Sequence, residues 1–209
     1  MTEVLPGHAQ AGLPSYTNHL SYPGNISIKQ TDMETSSEIT LTELLESRDK
    51  RRDFQLRMLA DNPGQALVVG TVILPGNIKR TADSLIIADA MTKAIEKSAA
   101  LLTLRLVRDL PTGFEAYYTS SLAPEQVKTL MAVIEDNHPL GRLMDIDVFK
   151  SDGSQVSRCS QGQAPRKCLL CGEDARVCMR AFTHTQNELL SEIHRRVTQW
   201  LCNELSSTP

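Results

Sequence analysis

Apolar positions along the chain follow two rhythms, one recurring every three to four residues and one packed into short continuous runs. Residues 1–36 show neither. They are rich in Pro, Gly, Ser, Thr and Asn, and a poorly ordered leader is expected there. Regularity begins at Ile39-Thr40-Leu41-Thr42-Glu43-Leu44, where Thr40 with Glu43 makes a capping box and Ile39 with Leu44 a hydrophobic staple. The spacing predicts a helix from here toward Leu59, stopped by Asn62-Pro63-Gly64. Ala66 to Leu74 is a valine-rich run bounded by glycine and proline, the pattern of a buried strand. Thr81 to Lys97 carries a helical face of Leu85, Ile86, Met91, Ala94 and Ile95.

Leu102 to Val107 and Phe114 to Thr119 read as strands joined by a turn at Asp109 to Gly113. Pro124-Glu125 opens a helix with its stripe at Val127, Leu130, Met131 and Ile134. Leu143 to Phe149 and Gln155 to Arg158 flank Ser151-Asp152-Gly153, a hairpin signal. Thr185 with Glu188 caps a last, long helix through Leu189, Leu190, Ile193, Val197, Trp200, Leu201 and Leu205. Strands alternating with helices, plus a hairpin, predict an α+β (mixed α/β) architecture, with residues 37–209 forming one domain.

Composition narrows the function classes. At 209 residues and 41% hydrophobic content, a core can form without disulfide or metal staples. A net charge of -3 provides no general field for nucleic acid or an anionic membrane, so anion binding must be local. No apolar run reaches the roughly 18 residues of a membrane span. Residues 1–24 lack the basic start and apolar stretch of a secretory signal. The five cysteines are therefore expected as reduced thiols or metal ligands in a cytoplasmic protein.

The chemistry concentrates in His138-Pro-Leu-Gly-Arg-Leu-Met-Asp-Ile-Asp-Val148. On a strand, period two places Asp145 and Asp147 on one face while Ile146 and Val148 point to the core. Two adjacent carboxylates repel unless a cation lies between them. Mg²⁺ suits such a pair, since it binds one or two carboxylates and completes its shell with water and phosphate. The bland reading is a solvated edge strand that happens to carry two aspartates. Against it stand His138, a titratable group, Gly141, which permits close backbone approach to a ligand, and Arg142, a bidentate phosphate fork.

A second concentration is Cys168-Leu-Leu-Cys171, then Cys178, Arg180 and His184. The two-residue spacing allows Cys168 and Cys171 to share a zinc that Cys178 and His184 complete, although the later spacings are not those of a standard finger. Cysteines filling a tight turn are the preferred reading, and zinc is the less favoured one. Arg158, Arg166, Lys167, Arg176 and Arg180 follow the carboxylates and suit a polyphosphate pocket. Pro75-Gly76-Asn-Ile-Lys79 leads from a strand into a helix, where amides and Lys79 suit a phosphate. Arg48, Lys50, Arg51 and Arg52 fan around the first helix, either as solvated surface or as a docking patch for an acidic partner.

Ser47-Arg48-Asp49, Pro75-Gly76-x-Ile-Lys79, the eleven-residue string 138–148, Arg166-x-Cys-Leu-x-Cys171 and Ala175-x-x-Cys178-x-Arg180-x-x-x-His184 together resemble the apo-citrate lyase phosphoribosyl-dephospho-CoA transferases. These enzymes are also called citrate lyase holo-acyl-carrier-protein synthases. The likeness runs in order from about Glu38 into the last helix. It implies a nucleotidyltransferase-like mixed sheet flanked by helices. The donor would be 2′-(5″-triphosphoribosyl)-3′-dephospho-CoA, and the acceptor a serine of the acyl-carrier (gamma) subunit of citrate lyase. Diphosphate would leave. Asp145 and Asp147 would bind Mg²⁺ and act in catalysis, with Arg142, Gly141, His138, Lys79, Arg48, Arg166 and Arg180 about the substrate. Two alternatives are the equivalent transferase for the malonate decarboxylase carrier and a non-enzymatic, zinc-stabilised interaction module.

Overall fold

The computed structural model describes residues 37–98, 102–162 and 164–207; the expected leader lies outside them. Helix α1 (Leu41–Asp61) starts at the anticipated capping box. The Thr40 hydroxyl accepts the Glu43 amide at 3.2 Å, and the Glu43 carboxylate accepts the Thr40 amide at 2.7 Å. Strand β1 (Ala66–Val72) follows, buried on both faces over its first five residues, which is why its sequence is a continuous apolar run. Then come α2 (Ala82–Ser98), β2 (Leu102–Leu110), β3 (Gly113–Ser120), α3 (Pro124–Asn137), β4 (Met144–Phe149), a short α4 (Ala175–Ala181) and the long α5 (Gln186–Ser207).

The expected α+β architecture is present, but the sheet is antiparallel in every pair where a mixed one was expected, with order β2-β3-β1-β4. Connectivity explains this. Each helical crossover, β1–α2–β2 and β3–α3–β4, skips one strand, and an opposed strand fills the gap. This is the split βαβ, ferredoxin-like arrangement.

One sheet face packs under α2 and α3, with α5 against α2: Val68, Ile146 and Val148 meet Ile87, Met91, Ile95, Met131, Ile134, Ile193 and Val197. Each such buried aliphatic side chain contributes about 1.5–3 kcal/mol. The opposite face is covered by α1, whose Phe54, Met58 and Leu59 lie on Leu67, Val69, Tyr117 and Phe149. Phe54 meets Tyr117 edge to face at 4.7 Å.

Three local expectations change. The β2–β3 turn is tighter than expected, because Leu110 pairs directly with Gly113 across Pro111-Thr112. Of the expected strand at 155–158, only Gln155 bridges back, to Phe149. Arg158 instead turns toward Asp136 on α3, at 2.6 Å. Helix α4 was not anticipated, since its Val177 and Met179 are exposed and leave no apolar stripe to read.

Strand β4 is a sheet edge, and its free side is occupied by side chains. The Ile146 amide donates to Glu135 Oε1 at 2.8 Å, and the Ile146 carbonyl accepts from Lys128 Nζ at 2.7 Å. One step further along, the Val156 amide donates to the Val148 carbonyl at 2.8 Å. These contacts satisfy the backbone groups that an edge otherwise leaves open. They also place a buried acid and a buried base from α3 beside the aspartates.

Candidate active site at the edge strand

Asp145 and Asp147 occupy alternate positions of β4, half-buried, while Met144, Ile146 and Val148 are buried in the core. Opposite them on β1 stand Thr71 and Val69, so the carboxylates share the face that α1 covers further along. Asp145 pairs with Arg166 at 3.2 Å. Asp147 accepts a hydrogen bond from Gln155 Nε2 at 2.6 Å. Burial, and then the charge of Asp145, push the Asp147 carboxyl up to about 6, although Lys128 and Arg166 oppose the rise. The protein's own cations therefore leave this pair incompletely compensated.

Around the pair lies a set of guanidinium groups. Arg166 bridges Asp145 and the buried Glu135. Arg158 faces Glu135 Oε2 at 3.4 Å and pairs with Asp136. Arg142 makes no hydrogen bond or ion pair among the described residues. Burial, then the charges of Arg166 and Arg158, hold its pKa below the usual guanidinium value. A guanidinium that feels the charge of two others and has no such partner among the described residues is a natural anion contact.

Glu135, Lys128 and Gln155 were missed as site residues, whereas Arg158 was read from the sequence as a polyphosphate contact. A signal existed for two of them. Lys128 and Glu135 interrupt the apolar stripe of α3, yet are only 3% and 1% exposed, so each needed a buried partner.

Other expected site residues do different work. Gly141 was expected to admit a ligand, but its missing Cβ admits α3. A Cβ there would stand 2.5 Å from the Ile134 carbonyl oxygen and 2.6 Å from that of Glu135. The His138 ring is also spoken for: Nδ1 accepts the Leu140 amide at 3.0 Å, the ring leans on Trp200 at 6.1 Å, and burial lowers its pKa. It fastens the end of α3 to α5. Lys79 donates to the Leu74 carbonyl, and burial, then Arg48, lower its pKa. The chain runs from Leu74 back to Ile73, whose amide donates to the Leu143 carbonyl at 2.9 Å. Arg48, Lys79 and Arg142 therefore lie toward one end of the sheet. Arg180 is exposed on α4 and makes no hydrogen bond or ion pair with the aspartates.

Of the basic string of α1, read as solvated surface or as a docking patch, Arg51 and Arg52 are engaged within the molecule. Arg51 pairs with buried Glu115 at 2.8 Å, and Arg108 with the same carboxylate at 3.2 Å. Arg52 reaches the Gly153 carbonyl at 3.4 Å, and Lys50 pairs with Glu46 at 3.6 Å. The Tyr117 hydroxyl also donates to Glu115, and burial, then that carboxylate, raise its pKa.

Away from β4, the ligand atoms of Cys168, Cys171, Cys178 and His184 all lie within 4.8 Å of one another. Burial raises the Cys168 thiol, but hydrogen bonds from the Cys171 and Leu170 amides and from the neighbouring thiols outweigh it, and the thiol falls to about 6.

Together the fold and this edge define an α+β enzyme scaffold in which paired carboxylates face guanidinium groups, a set suited to phosphate-bearing substrates. Residues 39–200 match the family model described as apo-citrate lyase phosphoribosyl-dephospho-CoA transferase, and the chain belongs to that family. A protein from Streptococcus pyogenes named as a probable transferase of this kind is 36% identical over 165 residues, spanning 75% of this chain and 84% of its own length. The Escherichia coli transferase is 34% identical over 159 residues, 74% of this chain and 86% of its own. Protein CitXG of Haemophilus influenzae is 35% identical over 164 residues, and the chain spans only 34% of that longer protein. The chain is thus an enzyme of a transferase family, which sets aside the non-enzymatic module. Among the described residues no helix is long and apolar enough to cross a membrane.

Proposed function

We propose that this chain transfers the prosthetic group of 2′-(5″-triphosphoribosyl)-3′-dephospho-CoA to a serine of the acyl-carrier (gamma) subunit of apo-citrate lyase, releasing diphosphate, in the cytoplasm. The supporting observation is the β4 edge in a chain of this family: two carboxylates, one held up near 6, with Arg166 paired to Asp145 and also among the charged neighbours of Arg142. The serine oxygen forms a bond to the phosphorus nearest the ribose, and the bond from that phosphorus to the diphosphate breaks. Asp147 accepts the serine proton on the carboxylate oxygen left free of metal, its burial keeping it more basic than an ordinary aspartate. Arg142 and Arg166 grip the phosphates, and Lys79 with Arg48 reach the same end of the sheet.

The incompletely compensated pair fits Mg²⁺, which Asp145 and Asp147 would hold. An ion held there would supply neutralisation of the charge developing on the departing diphosphate.

Incubating the enzyme with apo carrier subunit, donor and Mg²⁺ and weighing the carrier by mass spectrometry tests the proposal. A mass gain equal to the prosthetic group on one serine is expected. An unmodified citrate lyase carrier overturns the reading, and modification of only the malonate decarboxylase carrier redirects it. Full activity in Asp147→Asn overturns the residue assignment alone.

A further inference from the structure

Between Ser157 and Asn187 little of the described chain packs on the core, Leu169 being partly buried against it. Of the described residues in this stretch Cys178 alone is buried, while Val177, Met179 and Phe182 are 60%, 68% and 88% exposed. A seven-residue helix such as α4 is too short to be stable by itself. It has almost no apolar burial to hold it. Yet the segment is bent back on itself, with Cys168 donating its amide to the Glu173 carbonyl and Ala175 donating its amide to the Arg166 carbonyl.

What gathers in the bend is a ligand set. The three thiols and the His184 imidazole converge from separate places, Cys168 and Cys171 from a tight turn, Cys178 from α4 and His184 from the α4–α5 link. Cys171 Sγ and Cys178 Sγ stand 3.4 Å apart, far beyond the roughly 2.05 Å of a disulfide and close to the roughly 3.8 Å edge of a tetrahedron with 2.3 Å metal–sulfur bonds. His184 Nε2 is buried and has no hydrogen-bond partner. A buried ring nitrogen left without a partner costs free energy unless something meets it. Gly172, directly after the second cysteine, has φ +78°, a left-handed turn that sends the chain back past the thiols.

We infer that Cys168, Cys171, Cys178 and His184 form a closed, four-coordinate structural zinc site that holds the segment between β4 and α5 in place. Soft thiolates with one imidazole select zinc over magnesium or calcium, and four protein ligands leave no open position for chemistry. The site's reach extends to β4. Arg166, which bridges Glu135 and Asp145, lies two residues before Cys168, and Arg196 of α5 donates to the Leu169 carbonyl at 3.1 Å. Zinc thus braces a phosphate-facing arginine from outside the catalytic edge.

The test is metal analysis of the full chain purified without chelator. One zinc per chain is expected, retained in Cys159→Ser and Cys202→Ser and lost in Cys171→Ser and His184→Asn. Because a ligand variant can fail to fold, wild-type protein is also exchanged with cobalt(II), where intense thiolate-to-metal absorption with tetrahedral visible bands is expected. Limited trypsin digestion should leave Lys167, Arg176 and Arg180 uncut with zinc bound and cut them after chelation. Zinc-free wild-type protein that gives no tetrahedral cobalt spectrum overturns the site, as does an isolated Cys171–Cys178 disulfide. Full zinc retention in both ligand variants overturns the ligand set.

Discussion

Replacing Asp147 with asparagine should make the protein more stable while removing its activity. The carboxyl sits at about 6 against an ordinary value of 3.8, driven first by burial and then by Asp145. That displacement corresponds to about 3 kcal/mol against the charged form at neutral pH. The sign follows from proton linkage. The folded state binds the Asp147 proton more tightly than the unfolded chain, so wild-type stability falls as pH rises from about 4 to about 6 and is then level. Asparagine has no charge to penalise and can still accept from Gln155. The expected gain is about 3 kcal/mol near pH 8, about half that near pH 5, and nothing below about pH 4. For a domain of this size it raises Tm by about 2–4 °C per kcal/mol. Urea unfolding of both proteins across this pH range, in magnesium-free buffer, measures the gap. Added Mg²⁺ should stabilise wild type and narrow it. An asparagine variant no more stable than wild type at pH 8, or a gap independent of pH, refutes the reasoning.

Three further outcomes follow from the same geometry. In magnesium-free buffer the Asp147 carboxyl should titrate at about 6, read by carboxyl-carbon NMR, and added Mg²⁺ should shift that value down; an ordinary aspartate value without the metal refutes the burial argument. Arg142→Ala should lower kcat/KM about 10- to 100-fold, equivalent to one charged phosphate contact of about 1.5–3 kcal/mol, with unfolding little changed because Arg142 makes no hydrogen bond or ion pair among the described residues; a large stability loss with normal kinetics contradicts this. Gly141→Ala should destabilise by about 1–3 kcal/mol, since its methyl would meet the Ile134 carbonyl at 2.5 Å, and a variant with wild-type Tm refutes the packing role.

Much of the scaffold was readable because it rests on local periodicity. The capping boxes at Thr40 and Thr185, the apolar run of β1, the stripes of α2 and α3 and the long α5 each follow from spacing within a few residues. Helix α4 was not readable, because its Val177 and Met179 are exposed and leave no apolar stripe. The expected strand at 155–158 failed for a similar reason, since Arg158 is drawn away by Asp136 and Glu135 on another helix.

Asp145 and Asp147 could be placed on one face from their spacing alone, because a strand alternates by two whatever surrounds it. Their chemistry could not. The elevation of Asp147 is set by burial and Asp145 against Lys128 and Arg166, with Glu135 adding to it, and Lys128 and Glu135 reach it only because α3 closes over the sheet edge. The same closure decided that Gly141 serves packing and that His138 fastens α3 to α5. The four zinc-type ligands were visible as a string of residue types, but only the folded bend brings their ligand atoms within 4.8 Å. Sequence thus determined the helices, the strands and which face the carboxylates share, since those depend on neighbours in the chain. Tertiary structure decided which charges are compensated and which are not, since that depends on desolvation and on partners distant in sequence.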